Sequence, residues 1–474
     1  MTKSPAWSID DLLRASGGRL RYGDPEAGFD SVAIDSRRLD PEALFVAIKG
    51  EIHDGHRFCG DVVAGGCRGL MVAAKTLIQL DHAAWERAGV SCIEVEDTTR
   101  ALGDLARYHR RRCSAKVVAI TGSNGKTSTR RMTAGVTAEA FRTHATKGNF
   151  NNEIGLPLTL LALNRSHEVA VVEVGMNHFG EIQHLGEICE PDVGVITNVG
   201  PVHLEGVGTI EGVAKAKAEL LATIAPGGMA ILNADDARVA AMAGQTDRTV
   251  LTFGLGPTAR VRAEMIRPAA DGLDFLLLSP AGRCPVSLNT PAHFMVSNAL
   301  AAAAVGEALG MRPETVAAGL AKFRPGPGRL QLRELADEVR LIDDSYNANP
   351  ASMAAALDTL RLFKGEGQRT AAALGGMLEL GETAADLHRQ LGETAAKSGV
   401  DRLCAYGEFA VEVLAGARAA GLAEDCLFSG NHAEIAADLT AWLRPGDCLL
   451  VKGSRGMKME TVIAHLEHAL TEAP

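Results

Sequence analysis

Between Lys116 and Thr129 the chain reads KVVAITGSNGKTST, passing abruptly from apolar to small and polar residues. Gly122 and Gly125 allow the backbone to turn N–H groups inward around an anion, with Ser123 and Asn124 between them. Lys126 brings a point charge suited to the outer phosphates of a nucleotide, and the Thr127 hydroxyl stands where a Mg²⁺ ligand is needed. The loop departs from the general pattern G-x-x-x-x-G-K-[ST], because position 120 is isoleucine. A glycine-rich turn beside a surface lysine is the plain alternative.

Further along lie three more groups with chemical potential. Glu173 sits within the apolar run VAVVEVG, where an unpaired charge is costly and a cation partner is therefore expected. His203, in NVGPVHLEGVG, could complete a Mg²⁺ shell with Glu173 and Thr127, although oxygen is the commoner ligand. Lys215 and Lys217, in EGVAKAKAELLATI, fall on a helical pattern, where lysines ordinarily solvate a face.

The elements that must position these groups follow from hydrophobic periodicity. Val117, Val118 and Ile120 form a β-branched run that reads as a buried strand, and RRMTAGVTAEAF after the loop reads as a helix, whose N-terminus adds unpaired N–H groups and the positive dipole end. Runs at VAVVEVG, DVGVITNV, MAILNADD and TVLTFG alternate with helical patterns, which predicts a mostly parallel sheet covered on both faces. Ligands of such sheets bind at the carboxyl ends of the strands. Glu173, Asn198, Asn233, Asp235 and Asp236 occupy such ends, the two aspartates being equally suited to capping a helix.

Two units flank this one. Before it, WSIDDLLRASGG reads as an amphipathic helix, FDSVAIDSRRLDPEALFVAIKG as two strands around a turn, and GLMVAA and SCIEVED as two more strands. DTTRALGDLARYHRRR closes the unit with a basic end that suits a helix C-terminus. Ser36, Arg37 and Arg38 at a strand end are either solvated or a pocket for a nucleotide diphosphate, which arginine grips through paired hydrogen bonds. After the central unit, FRPGPGRLQ marks a linker or hinge. Strands at VRLIDDSYNANP, TAAALGGM, DRLCAYG and DCLLVKGS then alternate with four helical patterns, predicting a second doubly wound sheet. The expected division is 1–112, 113–323 and 324–474.

Composition excludes several classes. A chain of 474 residues with 46% hydrophobic and 22% charged content suits about three soluble α/β domains. A formal charge of −10 argues against a nucleic-acid surface. The first residues lack a signal-type apolar core and no run reaches membrane-spanning length, so a cytoplasmic protein is expected. Nine cysteines without C-x-x-C spacing fit reduced, buried thiols.

Taken in order, the motifs resemble those of the Mur ligase family over nearly the whole chain: IDSRRLDPEALFVAIKG, ITGSNGKTST, KGNFNNEIGLPLTLL, EVGMNHFGEI, TNVGPVHLEGVGTIEGVAKAKAEL, PGPGRLQ, IDDSYNANPASM, ALGGMLELGE and VKGSRGMKME. GNFNNEIGLP, EVGMNHFGEI and DDSYNANP point to the branch that adds a dipeptide. The resemblance implies an α/β fold of three domains: a small UDP-binding domain, a central phosphate-loop sheet and a Rossmann-like third domain. It implies ATP-dependent joining of D-alanyl-D-alanine to a UDP-N-acetylmuramoyl-tripeptide through an acyl phosphate, by a cytoplasmic monomer. The sister reaction, adding a single amino acid, and a regulatory nucleotide hydrolase are the alternatives.

The resemblance also implies roles. Gly122, Ser123, Asn124, Gly125, Lys126, Thr127 and Ser128 would form the ATP loop, with Thr127 and Glu173 on one Mg²⁺ and His203 on a second. Lys217 would be carbamylated and join that second ion, Lys215 being its neighbouring rival. Asn298 would contact the adenine, Arg329 the phosphates and Asp344 the ribose, with Tyr346 and Asn347 nearby. Asn151 and Asn152 would face the muramoyl-peptide, Ser36 and Arg37 the uridine diphosphate, and Ser454 and Arg455 the incoming dipeptide. Pro41-Glu42-Ala43 and Ser123 depart from common family forms without removing a ligand.

Overall fold

In the strand Lys116–Thr121 the side chains alternate between two cores. Val118 and Ile120 enter one with Met132 and Val136, while Val117 and Ala119 enter another with Leu185 and Leu220. A strand buried on both faces has no polar positions to show, which is why it reads as a continuous apolar run. The computed structural model describes residues 6–77, 80, 82–269, 272–365 and 367–472. The outermost residues of the first and third expected units, 1–5 and 473–474, lie outside that set.

This strand lies inside a nine-stranded sheet, between Val169–Glu173 and Val193–Ile196. The chain first runs out to the edge at Thr143–Ala145, returns to Val169–Glu173, and only then crosses to the other side. The phosphate-loop strand is therefore at the point where the winding reverses, and a crevice opens at its carboxyl end. Register sets Ile120 level with Glu173 on one side and Val195 on the other, so the loops after all three strands emerge together. Met229–Asn233, Thr249–Gly254 and Val261–Ala269 continue the parallel part. Gly272–Ser279 and Gly282–Leu288 then add antiparallel strands at that edge, in segments where the sequence reading had named no strand.

The flanking sheets obey the same plan. In the first unit Ser31–Ala33, Ala43–Val46, Gly69–Ala73 and Ser91–Val95 are parallel, with Arg19–Tyr22 antiparallel at the edge. Ser31–Ala33 and Ala43–Val46 were expected around a simple turn, but they are parallel, so the chain between them is a short crossover carrying the 3₁₀ turn Ser36–Arg38. Helix Thr98–Arg112, capped by the Asp97 carboxylate, closes the unit. Its basic end does more than complement the helix dipole: Arg107 and Arg111 pair with Glu190 and Arg110 with Asp192, tying the first unit to the second.

In the third unit the six strands run Gln331–Glu334, Arg340–Asp344, Cys448–Lys452, Thr370–Gly375, Arg402–Tyr406 and Leu427–Ser429, the first antiparallel to the rest. The last strand in sequence inserts between Arg340–Asp344 and Thr370–Gly375, which brings Lys452 level with both Asp344 and Leu374. All nine cysteines are unpaired and eight are buried, as expected for reduced thiols. Among the described residues no helix is long and apolar enough to cross a membrane.

Helix Lys126–Thr137, which follows the phosphate loop, packs against Met295–Ala308 and Pro313–Ala321. The contact with the latter is made at glycine: a Cβ on Gly319 would stand 2.5 Å from the Val136 Cα and 2.9 Å from the Gly135 carbonyl oxygen. Backbone on both sides cannot yield as a flexible side chain could. Gly319→Ala, which ordinarily favours a helix by about 0.5–1 kcal/mol, should instead destabilise this protein by about 1–3 kcal/mol through overpacking. Denaturant unfolding gives the sign directly, and a stabilised variant would show that the helices are not held at this spacing.

Candidate active site

Two glycines shape the phosphate loop. Gly122 has φ +148°, and a Cβ there would fall 1.9 Å from the Thr197 hydroxyl; Gly125 has φ +80°, and its Cβ would fall 2.3 Å from Asn298 Oδ1. Neither place has room for a side chain. The loop is braced by the segment after the neighbouring strand. Ser123 Oγ donates to the Gly200 carbonyl at 3.1 Å and accepts from the Gly200 N–H at 2.8 Å. Asn124 N–H donates to Asn198 Oδ1 at 2.7 Å, and the Asn124 carbonyl accepts from Thr197 Oγ1 and Asn198 Nδ2. Asn198 thus serves the loop itself. Of the two aspartates downstream, Asp236 caps Ala237–Ala241 as the plainer reading held, whereas Asp235 caps no helix and instead accepts the Leu255 and Gly256 N–H groups after a neighbouring strand.

Lys126 curls over this loop, its Nζ donating to the Gly122 carbonyl at 2.7 Å and the Ser123 carbonyl at 3.4 Å. Burial lowers its pKa, with the Glu173 carboxylate pulling the other way and Arg329 pushing it down further. Arg329 therefore faces the loop from the far side of the hinge. Ser128 is buried in the first turn of the helix, and Asn298, also buried, accepts from Thr129 Oγ1 at 3.3 Å, directly under Gly125.

Glu173 is the centre of the polar network. It is 3% exposed and accepts from Thr127 Oγ1 at 2.9 Å, Arg130 Nε at 3.3 Å and Asn151 Nδ2 at 3.0 Å. The cation partner that the sequence demanded is present as Arg130, one helical turn beyond Lys126 on the same face. That i, i+4 spacing was the signal by which it could have been found. Asn151 turns toward this carboxylate, whereas Asn152 accepts the Gly155 N–H at 2.9 Å and shapes the start of its own helix.

The two lysines separate cleanly. Lys215 is exposed, with its ammonium 5.7 Å from the Phe179 ring centre. Lys217 is 2% exposed and, among the described residues, has no hydrogen-bond or ion-pair partner. Burial drives its amine well below the ordinary lysine range, and the charge of Lys126 pushes the same way. His203 stands on the loop after Val193–Ile196 with φ +54°, and its Nδ1 is 2.6 Å from Glu379 Oε2 of the third unit.

That third unit presents three strand-end loops to the crevice. Asp344 accepts from the Leu330 N–H at 3.0 Å and from Lys452 Nζ, which also donates to the Asn347 carbonyl at 2.9 Å. Burial raises the Asp344 pKa against the pull of Lys452. The Tyr346 ring lies between two guanidiniums, Arg329 at 4.2 Å and Arg455 at 5.7 Å. Ser454 is buried, donating to the Ala348 carbonyl and accepting the Leu378 N–H. Asn349 Nδ2 reaches Asn124 Oδ1 of the phosphate loop at 2.6 Å. Far from all this, Arg37 lies exposed on the first unit in a two-pronged pair with Asp35, beside half-buried Ser36.

A phosphate loop at the winding reversal of a parallel sheet, roofed by a second doubly wound sheet, defines a nucleotide-dependent enzyme of three α/β units. Family models confirm the class: residues 29–110 match the Mur ligase family catalytic domain, 120–306 the Mur ligase middle domain and 328–455 the Mur ligase glutamate ligase domain. The UDP-N-acetylmuramoyl-tripeptide–D-alanyl-D-alanine ligase of Escherichia coli K12 is 37% identical, the match covering 97% of this chain and 98% of that one. A crystal structure of MurF from Acinetobacter baumannii superimposes with a TM-score of 0.89 at 33% identity, covering 98% of this chain and 99% of that one. The MurF ligase of Thermotoga maritima in complex with ADP has a TM-score of 0.82 at 27% identity, covering 93% and 98%. The chain belongs to the Mur ligase family.

The loop that carries Glu379 is pinned from behind by His388, which is fully buried. Its Nε2 accepts the Met377 N–H at 2.9 Å, its Nδ1 donates to the Ala384 carbonyl at 2.6 Å, and its ring stacks on Phe409 at 4.6 Å. Burial lowers its pKa, against the Ala384 carbonyl and Glu412. A histidine kept neutral by the fold but free to protonate when unfolded lets the unfolded chain bind more protons, so its contribution to stability falls as pH drops below about 6.5. His388→Gln can still accept the Met377 N–H and does not titrate. It should lose less stability than the native chain between about pH 7.5 and 5.5, measured by denaturant unfolding; equal losses would contradict the neutral assignment.

Proposed function

We infer that this chain joins D-alanyl-D-alanine to UDP-N-acetylmuramoyl-tripeptide with conversion of ATP to ADP and phosphate. The observation that carries the reading is the phosphate loop, with Lys126 and Glu173, set directly beneath the strand-end loops of the third unit. Full-length likeness to ligases named for this reaction supports it. The tripeptide carboxylate oxygen attacks the γ-phosphorus as the bond to ADP breaks. The dipeptide nitrogen then attacks the acyl carbon, phosphate leaves, and the nitrogen gives up its proton. Both steps gather negative charge, which Lys126, Arg329 and the loop N–H groups are placed to offset. The acyl phosphate must also be kept from water, a task for the third unit swinging about the 325–328 hinge.

Two Mg²⁺ ions and a carbamylated lysine belong to the proposal. Among the described residues no group of three or more histidine, cysteine or acidic side chains forms a metal cage. One carboxylate beside a nucleotide suits Mg²⁺, which keeps waters and takes phosphate oxygens. Thr127 and Glu173 would hold one ion; His203 and Lys217 the other. When bound, the ions would neutralise phosphate charge. Burial and the charge of Lys126 lower the Lys217 pKa and so favour the neutral amine, which is the form that can add to CO₂ and lose a proton to become a carbamate.

In the same reading Gly122 to Ser128 cradle the phosphates, Asn298 meets the adenine, Asp344 the ribose, and Tyr346 and Asn347 pack beside them. Asn151 and Asn152 face the muramoyl-peptide, Ser36 and Arg37 the uridine diphosphate, and Ser454 and Arg455 the dipeptide. The proposed domains are 1–112, 113–323 and 324–474, in a cytoplasmic monomer.

Phosphate release with ATP, Mg²⁺ and UDP-N-acetylmuramoyl-tripeptide should require D-alanyl-D-alanine; release with a single amino acid alone would instead assign a sister reaction. Lys126→Ala should fold and lose turnover by about a thousandfold or more. Lys217→Ala should lose activity that added acetate or formate partly restores by standing in for the carbamate. Native rates in Lys217→Ala would remove that residue from the site.

A further inference from the structure

The hydrogen bond between Asn349 and Asn124 joins segments 225 residues apart and has no part in the chemistry above. Its direction is fixed by the other bonds these residues make. Asn349 Oδ1 accepts the Ser352 N–H at 2.9 Å, and Ser352 Oγ accepts the Asn349 N–H at 3.0 Å, a capping box that starts the helix Pro350–Arg361. A backbone donor cannot be exchanged for an acceptor, so the amide cannot turn over and its Nδ2 must face the phosphate loop. On the other side, the Asn124 backbone is held by Thr197 and Asn198, and its side chain meets the Asn349 donor with its oxygen. A single side chain therefore begins a helix of the third unit and sets the position of that unit against the loop.

What Asn349 moves is the whole group of loops at that sheet edge. The preceding residue, Ala348, accepts from Ser454 Oγ, and Ser454 accepts from the Leu378 N–H, so the three strand-end loops are linked. We propose that Asn349 is a positioning residue for the second half of the reaction, registering the loops that receive the amine against the loop where the acyl phosphate forms. This rests on the ligase reading above. The acyl carbon has two fates: attack by the amine nitrogen, forming C–N as the C–O bond to phosphate breaks, or attack by water oxygen, returning the carboxylate and phosphate. Small errors of alignment penalise the first fate and leave the second open. Loss of the contact should therefore uncouple phosphate release from ligation rather than stop it.

The test is phosphate released per ligated product at saturating ATP, UDP-N-acetylmuramoyl-tripeptide and D-alanyl-D-alanine, alongside thermal unfolding. Asn349→Ser retains a good helix cap but is too short to reach Asn124, and its ratio should rise severalfold above the native value. Asn349→Asp caps equally well and can accept from the Asn124 amide once that amide turns over, so it should return most of the coupling. Asn124→Ala, which leaves the cap untouched, should uncouple as Asn349→Ser does. Native coupling in Asn349→Ser and Asn124→Ala would overturn the proposal and leave capping as the whole role of Asn349, and equal uncoupling in Asn349→Ser and Asn349→Asp would overturn it too, since a side chain able to reach Asn124 would then have restored nothing. A native protein that forms no dipeptide product would instead refute the ligase reading on which the proposal stands.

Discussion

A carboxylate at the buried end of a central strand cannot be left alone, and much of this site is arranged around that constraint. Glu173 draws a hydroxyl from the loop helix, a guanidinium from its next turn and an amide from the segment after Thr143–Ala145. Breaking a buried pair by removing one partner costs about 3–5 kcal/mol, so Thr127, Arg130 and Asn151 are held where Glu173 needs them. Arg130 is itself anchored by the carbonyl of Thr146, whose hydroxyl accepts the Glu173 N–H at 3.1 Å. Positions required for stability thus coincide with those proposed for phosphate chemistry.

The same economy governs the second lysine. Burial of the Lys217 amine, with the charge of Lys126 acting the same way, disfavours its ammonium form. Lys215, only two residues away, is exposed, with its side-chain nitrogen over the Phe179 ring. Facing this site, the third unit makes two side-chain contacts with the second, Asn349 to Asn124 and Glu379 to His203.

Much of this was legible before any coordinates. The loop announced itself because glycine, lysine and threonine have few other reasons to occur together after a β-branched strand, and Glu173 because a charge in an apolar run needs an explanation. What the sequence concealed were relations between distant segments. Lys452 meets Asp344 only because the last strand inserts between two earlier ones, a matter of sheet order with no local signature. The antiparallel strands Gly272–Ser279 and Gly282–Leu288 were not named from the sequence, since they alternate between more exposed and buried positions and lack a continuous β-branched run, and Ser31–Ala33 and Ala43–Val46 are too close in sequence to suggest a parallel pair. Asn349 caps the helix Pro350–Arg361, but its amide has a second direction that local sequence chemistry does not specify.

Affinity for ADP, measured by calorimetry with and without Mg²⁺ on the native chain and on Glu173→Gln, bears most directly on the role given to the buried carboxylate. If Glu173 is the charge around which loop, cation and nucleotide are organised, Mg²⁺ should tighten ADP binding to the native protein and do so far less in Glu173→Gln, with metal-free affinity little changed. A Glu173→Gln protein whose ADP affinity answers to Mg²⁺ as the native protein's does would contradict it.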